Sequence, residues 1–148
     1  MKRSIVAAAV AAAFALSYTF LIKASVPQPS NTWAATGEMS VGRAGASATL
    51  MYDGRILVTG GTTGGGVSAS AEGYSPAAGT FTTAPAMLTA RANHTSSLLP
   101  DGRVLVAGGV GANGQALNAA EIYDPATIMW TPAPPMPRAR RAHGDGAL

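Results

Sequence analysis

At 148 residues the chain is long enough for one ordinary domain with a buried core, and its 47% hydrophobic and 11% charged residues set it apart from disordered chains. The absence of cysteine excludes a disulfide, a thiolate metal site and a cysteine nucleophile. The net charge of +3 does not mark a nucleic-acid partner: Lys2, Arg3 and Lys23 flank the first apolar segment, and without these three the 10 basic residues fall to the number of acidic ones, 7.

The first element reads as an address. Residues 1–24 run MKRSIVAAAVAAAFALSYTFLIKA, with a basic start, an uncharged stretch from Ile5 to Ile22 and then a polar, Pro-containing segment. That layout is a secretory signal peptide, with cleavage after Ala24 or after Ser17. The apolar stretch also approaches the length of a spanning helix, so an uncleaved anchor with the body facing outward is the alternative. Either way the expected location is extracytoplasmic: secreted, periplasmic or tethered outside. Residues 25–32 read as a linker, and an isolated strand is expected around Trp33.

From there the chain repeats itself. LMYDGRILVTGG at 50–61 returns as LLPDGRVLVAGG at 98–109, an offset of 48. After the double glycine the offset becomes 49: Glu72 aligns with Glu121, Tyr74 with Tyr123 and Phe81 with Trp130. Met39, Met87 and Met136 are each followed four residues later by an arginine: Arg43, Arg91 and Arg140. His94 and His143 share one repeat position, where the first copy has Ala46. A period near 50 predicts stacked supersecondary units, here about 40–87 and 88–136, with a third begun at 137–148.

Each unit reads as four short strands. In the second they are expected at 92–99, at 103–109, around 120–125 and around 128–133. Pro100, Asp101 and Gly102 make the first turn, because proline presets φ and glycine accepts positive φ. Gly60-Gly61 and Gly108-Gly109 end buried strands where the chain turns sharply and a neighbouring backbone packs close. Tyr123 and Trp130 are expected on the outer strands, covering the sheet. The arginines are expected to tie adjacent units through backbone carbonyls or a carboxylate such as Glu72 or Glu121.

This pattern resembles the kelch repeat of β-propellers: ILVTGG, Tyr74 and Phe81 in one copy, VLVAGG, Tyr123 and Trp130 in the other, with Phe81 standing where the motif has tryptophan. The phrasing is most similar to bacterial extracytoplasmic kelch proteins and the central domain of galactose-oxidase-like proteins. The resemblance covers about 33–148. It implies an all-β radial array of four-stranded sheets, of which only two complete units are present. Propellers usually need at least four, so the chain is expected to be an N-terminal fragment of a longer propeller, or to assemble with copies or partners through open sheet edges.

No catalytic, cofactor or metal residue is assigned. His94 and His143 are read as structural histidines bonded to backbone, and Asp53 and Asp101 as turn residues. The glycine run TGGTTGGGVS lacks the Lys-Ser/Thr ending of a phosphate loop. The expected function is a non-catalytic binding module for protein or glycan, acting through loops 62–70 and 110–118. The alternative is a fragment of a kelch-type enzyme, a copper oxidase like galactose oxidase or a sialic-acid epimerase, with its catalytic residues outside this chain. A membrane enters only through an uncleaved N-terminal segment.

Overall fold

The computed structural model describes residues 35–141. The signal or anchor segment, the linker, Trp33 and His143 lie outside the described residues. By contacts the chain divides into Met1–Ala35 and Thr36–Leu148. Among the described residues every regular element is a strand.

Ten strands form two four-stranded antiparallel sheets and one small hairpin. The first sheet contains β1 (Ser47–Leu50), β2 (Ile56–Thr59), β5 (Ala71–Ser75) and β6 (Thr80–Ala84), in that spatial order. The second contains β7 (Thr95–Leu98), β8 (Val104–Ala107), β9 (Ala120–Asp124) and β10 (Met129–Ala133). The hairpin, β3 (Thr62–Thr63) with β4 (Gly66–Val67), lies in the connection between β2 and β5. The two sheets repeat one another in order and register: Val58 faces Glu72 as Val106 faces Glu121, and Tyr74 faces Phe81 as Tyr123 faces Trp130.

Local chemistry accounts for the boundaries. Between β7 and β8 the Leu99 carbonyl accepts from Gly102 N at 2.9 Å, and Gly102 takes φ +87°. This is a three-residue hairpin loop closed by a left-handed glycine. Asp101 accepts from Arg103 N at 3.1 Å, so its carboxylate completes the turn. The strand expected at 92–99 is shorter, because Asn93 adopts φ +53° and breaks it where the first unit has Gly45 at +65°. The strand expected from Ile128 begins one residue later, since Ile128 is in the left-handed region at φ +58°. Its counterpart in the first unit is Gly79, at +67°. A β-branched residue in that conformation is strained.

The double glycines end β2 and β8 with positive φ at both residues: +61° and +96° at Gly60 and Gly61, +66° and +95° at Gly108 and Gly109. A Cβ on Gly61 would stand 2.9 Å from the Ala44 carbonyl oxygen, and one on Gly109 would stand 2.6 Å from that of Ala92. Backbone from the segment leading into each sheet therefore passes directly against these glycines, which no side chain would permit.

The core lies between the two sheets. Leu57, Met51 and Met87 from the first unit meet Val104, Val106, Tyr123 and Trp130 of the second. The Tyr123 and Trp130 rings are 5.1 Å apart, and Trp130 Nε1 donates to the Pro85 carbonyl at 2.8 Å, tying the outer strand of the second sheet to the segment leaving the first. Pro132 lies within β10, where it is tolerated because β10 is an edge strand with a partner on one side only.

Candidate functional site: the arginine clamp and the sheet junction

Two of the three repeat-position arginines, Arg43 and Arg91, make three side-chain hydrogen bonds each. Arg43 donates through Nη1 to the Gly60 carbonyl at 2.9 Å and the Ser70 carbonyl at 3.1 Å, and through Nη2 to Glu72 Oε1 at 2.5 Å. Arg91 repeats the set: Gly108 at 2.9 Å, Ala119 at 2.9 Å and Glu121 Oε1 at 2.6 Å. Each glutamate has a second oxygen, which accepts a backbone N–H three residues before the arginine: Ser40 N at 2.9 Å onto Glu72, Leu88 N at 2.6 Å onto Glu121. Both ion pairs are buried; the Arg91 side chain is 0% exposed. Burial works against the charge of the Glu72 carboxylate, but the bonds from Ser40 and Arg43 outweigh it and hold the pKa below the usual glutamate value.

Arg91 joins the two sheets. Its side chain grips the second sheet, while its backbone rests on the first: Arg91 N donates to the Ser68 carbonyl at 3.2 Å, and Gly61 N donates to the Arg91 carbonyl at 2.9 Å. Arg140 places its backbone on the second sheet in the same way, donating to Leu117 O at 3.0 Å and accepting from Gly109 N at 2.8 Å. Its side chain is exposed and makes no ion pair or hydrogen bond with any described residue.

His94 lies at the same junction, buried, with Nε2 2.9 Å from the hydroxyl of Thr59 on β2. Its partner is thus a side-chain hydroxyl of the neighbouring sheet rather than the backbone expected from sequence. Its Nδ1 is buried without a partner. Burial, with the Arg91 charge as a second cause, pushes the His94 pKa down to about 4, so the ring is neutral near pH 7. The innermost strands meet through hydroxyls: Ser96 of β7 reaches Ser47 at 2.9 Å and also Thr49 on β1.

The other positions read from sequence take structural places. Tyr74 and Phe81 stack with centroids 4.7 Å apart, and the Tyr74 hydroxyl bonds the Thr36 hydroxyl at 2.5 Å. Asp53 and Asp101 accept from Arg55 and Arg103 as solvent-exposed pairs at the hairpin turns, which lowers both carboxyl pKa values. Among the described residues no group of three His, Cys, Asp or Glu side chains could hold a metal ion.

The connections between the second and third strands of each sheet lie beside the clamps, with exposed tips at 64–66 and 112–116. The first folds back as the β3–β4 hairpin. The second closes through Gly111 N to the Gln115 carbonyl at 2.9 Å, with residues 112–116 all exposed. Sequence reading marked both as loops of small residues and missed their hairpin form. The TTGG and ANG runs were the available signal.

Comparison with known families matches residues 91–137 to the Kelch motif. No curated protein matches the chain. The matched segment runs from the clamp arginine Arg91 through β7 to β10, and the first sheet repeats its geometry. The described residues are all-β, in four-stranded antiparallel sheets, and with the motif at 91–137 they fit the blade pattern of a kelch-repeat β-propeller.

Proposed function

We propose that this kelch-repeat fragment is an exported, non-catalytic recognition module, part of a longer propeller, which holds a protein or glycan ligand through the connections at 62–70 and 110–118. Kelch repeats as a class form a protein-interaction kind of fold. The observation that carries the reading is the contrast within each unit: a buried Arg–Glu clamp fixes the frame, while the tip of the adjoining connection, 64–66 or 112–116, is exposed and free of bulky apolar and charged side chains. A rigid scaffold presenting variable loops is the usual division of labour in recognition. Export rests on the pattern of residues 1–24.

Two experiments test the reading. A C-terminally tagged chain should be recovered outside the cytoplasm, and deletion of residues 1–24 should trap it inside; equal cytoplasmic recovery of both would defeat export. Replacing 112–116 with five glycines should abolish capture of the extracytoplasmic ligand at an unchanged urea midpoint. Copper binding with peroxide production by the complete protein would defeat the non-catalytic reading and favour the oxidase alternative.

A further inference from the structure

The turn at 111–115 is a third copy of the hairpin turns at 51–55 and 99–103, although it stands outside the repeat positions that those two share. In each, the N–H of a left-handed glycine donates to the carbonyl three residues back: Gly54 to Met51 at 3.0 Å, Gly102 to Leu99 at 2.9 Å and Gly114 to Gly111 at 2.9 Å. In each, the residue before that glycine accepts through Oδ1 from the N–H two residues on: Asp53 from Arg55 at 2.9 Å, Asp101 from Arg103 at 3.1 Å and Asn113 from Gln115 at 3.0 Å. The backbones are alike, so the three turns differ in their side chains.

Both aspartates are held by a guanidinium, with Arg55 Nε 2.7 Å from Asp53 Oδ2 and Arg103 Nε 2.8 Å from Asp101 Oδ2. This pairing lowers both carboxyl pKa values and keeps the groups ionised. An ionised carboxylate resists attack by a nitrogen. Asn113 carries a neutral amide instead, and Gln115 has no charge with which to hold it. The bond from Gln115 N polarises the Asn113 side-chain carbonyl and makes its carbon a better target. Residues 112–116 are exposed, and a Cβ built on Gly114 would meet nothing within 4 Å, so the tip is uncrowded. Of the four asparagines in the chain, Asn113 alone precedes a glycine, whose amide nitrogen no side chain shields.

From this we infer that Asn113–Gly114 is a self-modification site, at which the side-chain amide is lost to give aspartate and isoaspartate. The Gly114 N–H releases the Gly111 carbonyl, and its nitrogen attacks Asn113 Cγ. A bond forms between the two, the bond from Cγ to Nδ2 breaks, and Nδ2 leaves as ammonia with the Gly114 proton. Water then opens the cyclic imide. Attack at Cγ gives aspartate, and attack at the backbone carbonyl of residue 113 gives isoaspartate. Either product places a negative charge in a connection, 110–118, that otherwise has none. Isoaspartate also lengthens the backbone by a methylene and breaks the pairing of Gly111 with Gln115.

The test incubates the folded full chain in mildly alkaline buffer and follows its peptides by mass. The peptide containing Asn113 should shift by the difference between an amide and an acid, and should become a substrate for an isoaspartate-specific methyltransferase. Fragmentation should place the change at Asn113, with Asn93 and Asn118 still amides and no isoaspartate at Asp53 or Asp101. Asn113→Gln should abolish the shift. Arg103→Gln, which gives Asp101 the neighbour that Asn113 has, should bring isoaspartate to Asp101. Persistence of Asn113 for as long as Asn118, or conversion only in urea where the chain is unfolded, would overturn the site. Isoaspartate in the native chain at Asp101 to the level at Asn113, or none after Arg103→Gln, would overturn the protection assigned to the guanidinium. The readout is covalent, so failure of ligand capture through 112–116 leaves the site standing, and the reverse also holds.

Discussion

The two sheets share a strand order, a register and a clamp, yet their aromatic pairs lead different lives. Tyr123 and Trp130 are buried, at 5% and 7% exposure, because the first sheet lies over them. Tyr74 and Phe81 stack in the same way but stay partly exposed. The same motif therefore delivers burial only where another unit stands beside it. The stability of each sheet is largely a property of its junctions, as expected for repeat architectures.

The largest effect should come from breaking the junction at its centre. Arg91→Ala removes the donor to Glu121 Oε1 and to two carbonyls, leaves a buried carboxylate without its cation, and should cost about 3–5 kcal/mol in urea unfolding. Arg103→Ala, which opens an exposed pair, should leave the midpoint where it was.

Acid should act on the same junction through His94. Its pKa is about 4 in the folded chain against 6.5 for the free side chain, so the unfolded chain takes up the proton first as pH falls. The contribution is complete above pH 6.5, declines between 6.5 and 4, and is fully lost below 4. The decline should total about 3 kcal/mol. Unfolding of the native chain and of His94→Gln, compared across that range, isolates it; parallel pH dependences would refute it.

Two smaller changes make the sheets alike. Trp130→Phe gives the second sheet the aromatic of the first and removes the bond to Pro85, for a loss of about 1 kcal/mol. Ile128→Gly restores the residue type of Gly79 at a left-handed position and should gain about 1 kcal/mol. A loss on Ile128→Gly would show that its exposed side chain matters more than its backbone.

Much of this fold was legible in the residues. The turn chemistry of Asp101 and Gly102, the apolar runs ending in Gly-Gly and the spaced aromatics located the four strands of the second unit, because each signal is local, and the repeat implied four more in the first. Glu72 and Glu121 could be named as carboxylate partners of the arginines because the repeat keeps them in step. What stayed hidden were contacts between units. Nothing near His94 announces Thr59, 35 positions away, and the repeat misleads here, since the counterpart of Thr59 is Ala107. The Ser47–Ser96–Thr49 contacts were invisible for the same reason: the repeat shows which residues correspond, not which face each other. The strands at 92–99 and 128–133 were drawn too long because Asn93 and Ile128 occupy left-handed positions that glycine fills in the first unit.

Pro132 has a bearing on how such a chain behaves when crowded. An exposed outer strand ordinarily offers a template on which another chain can add a strand and start a fibril. A residue without an amide hydrogen spoils that template midway along the rim of the second sheet. Growth by sideways strand addition is thereby discouraged there.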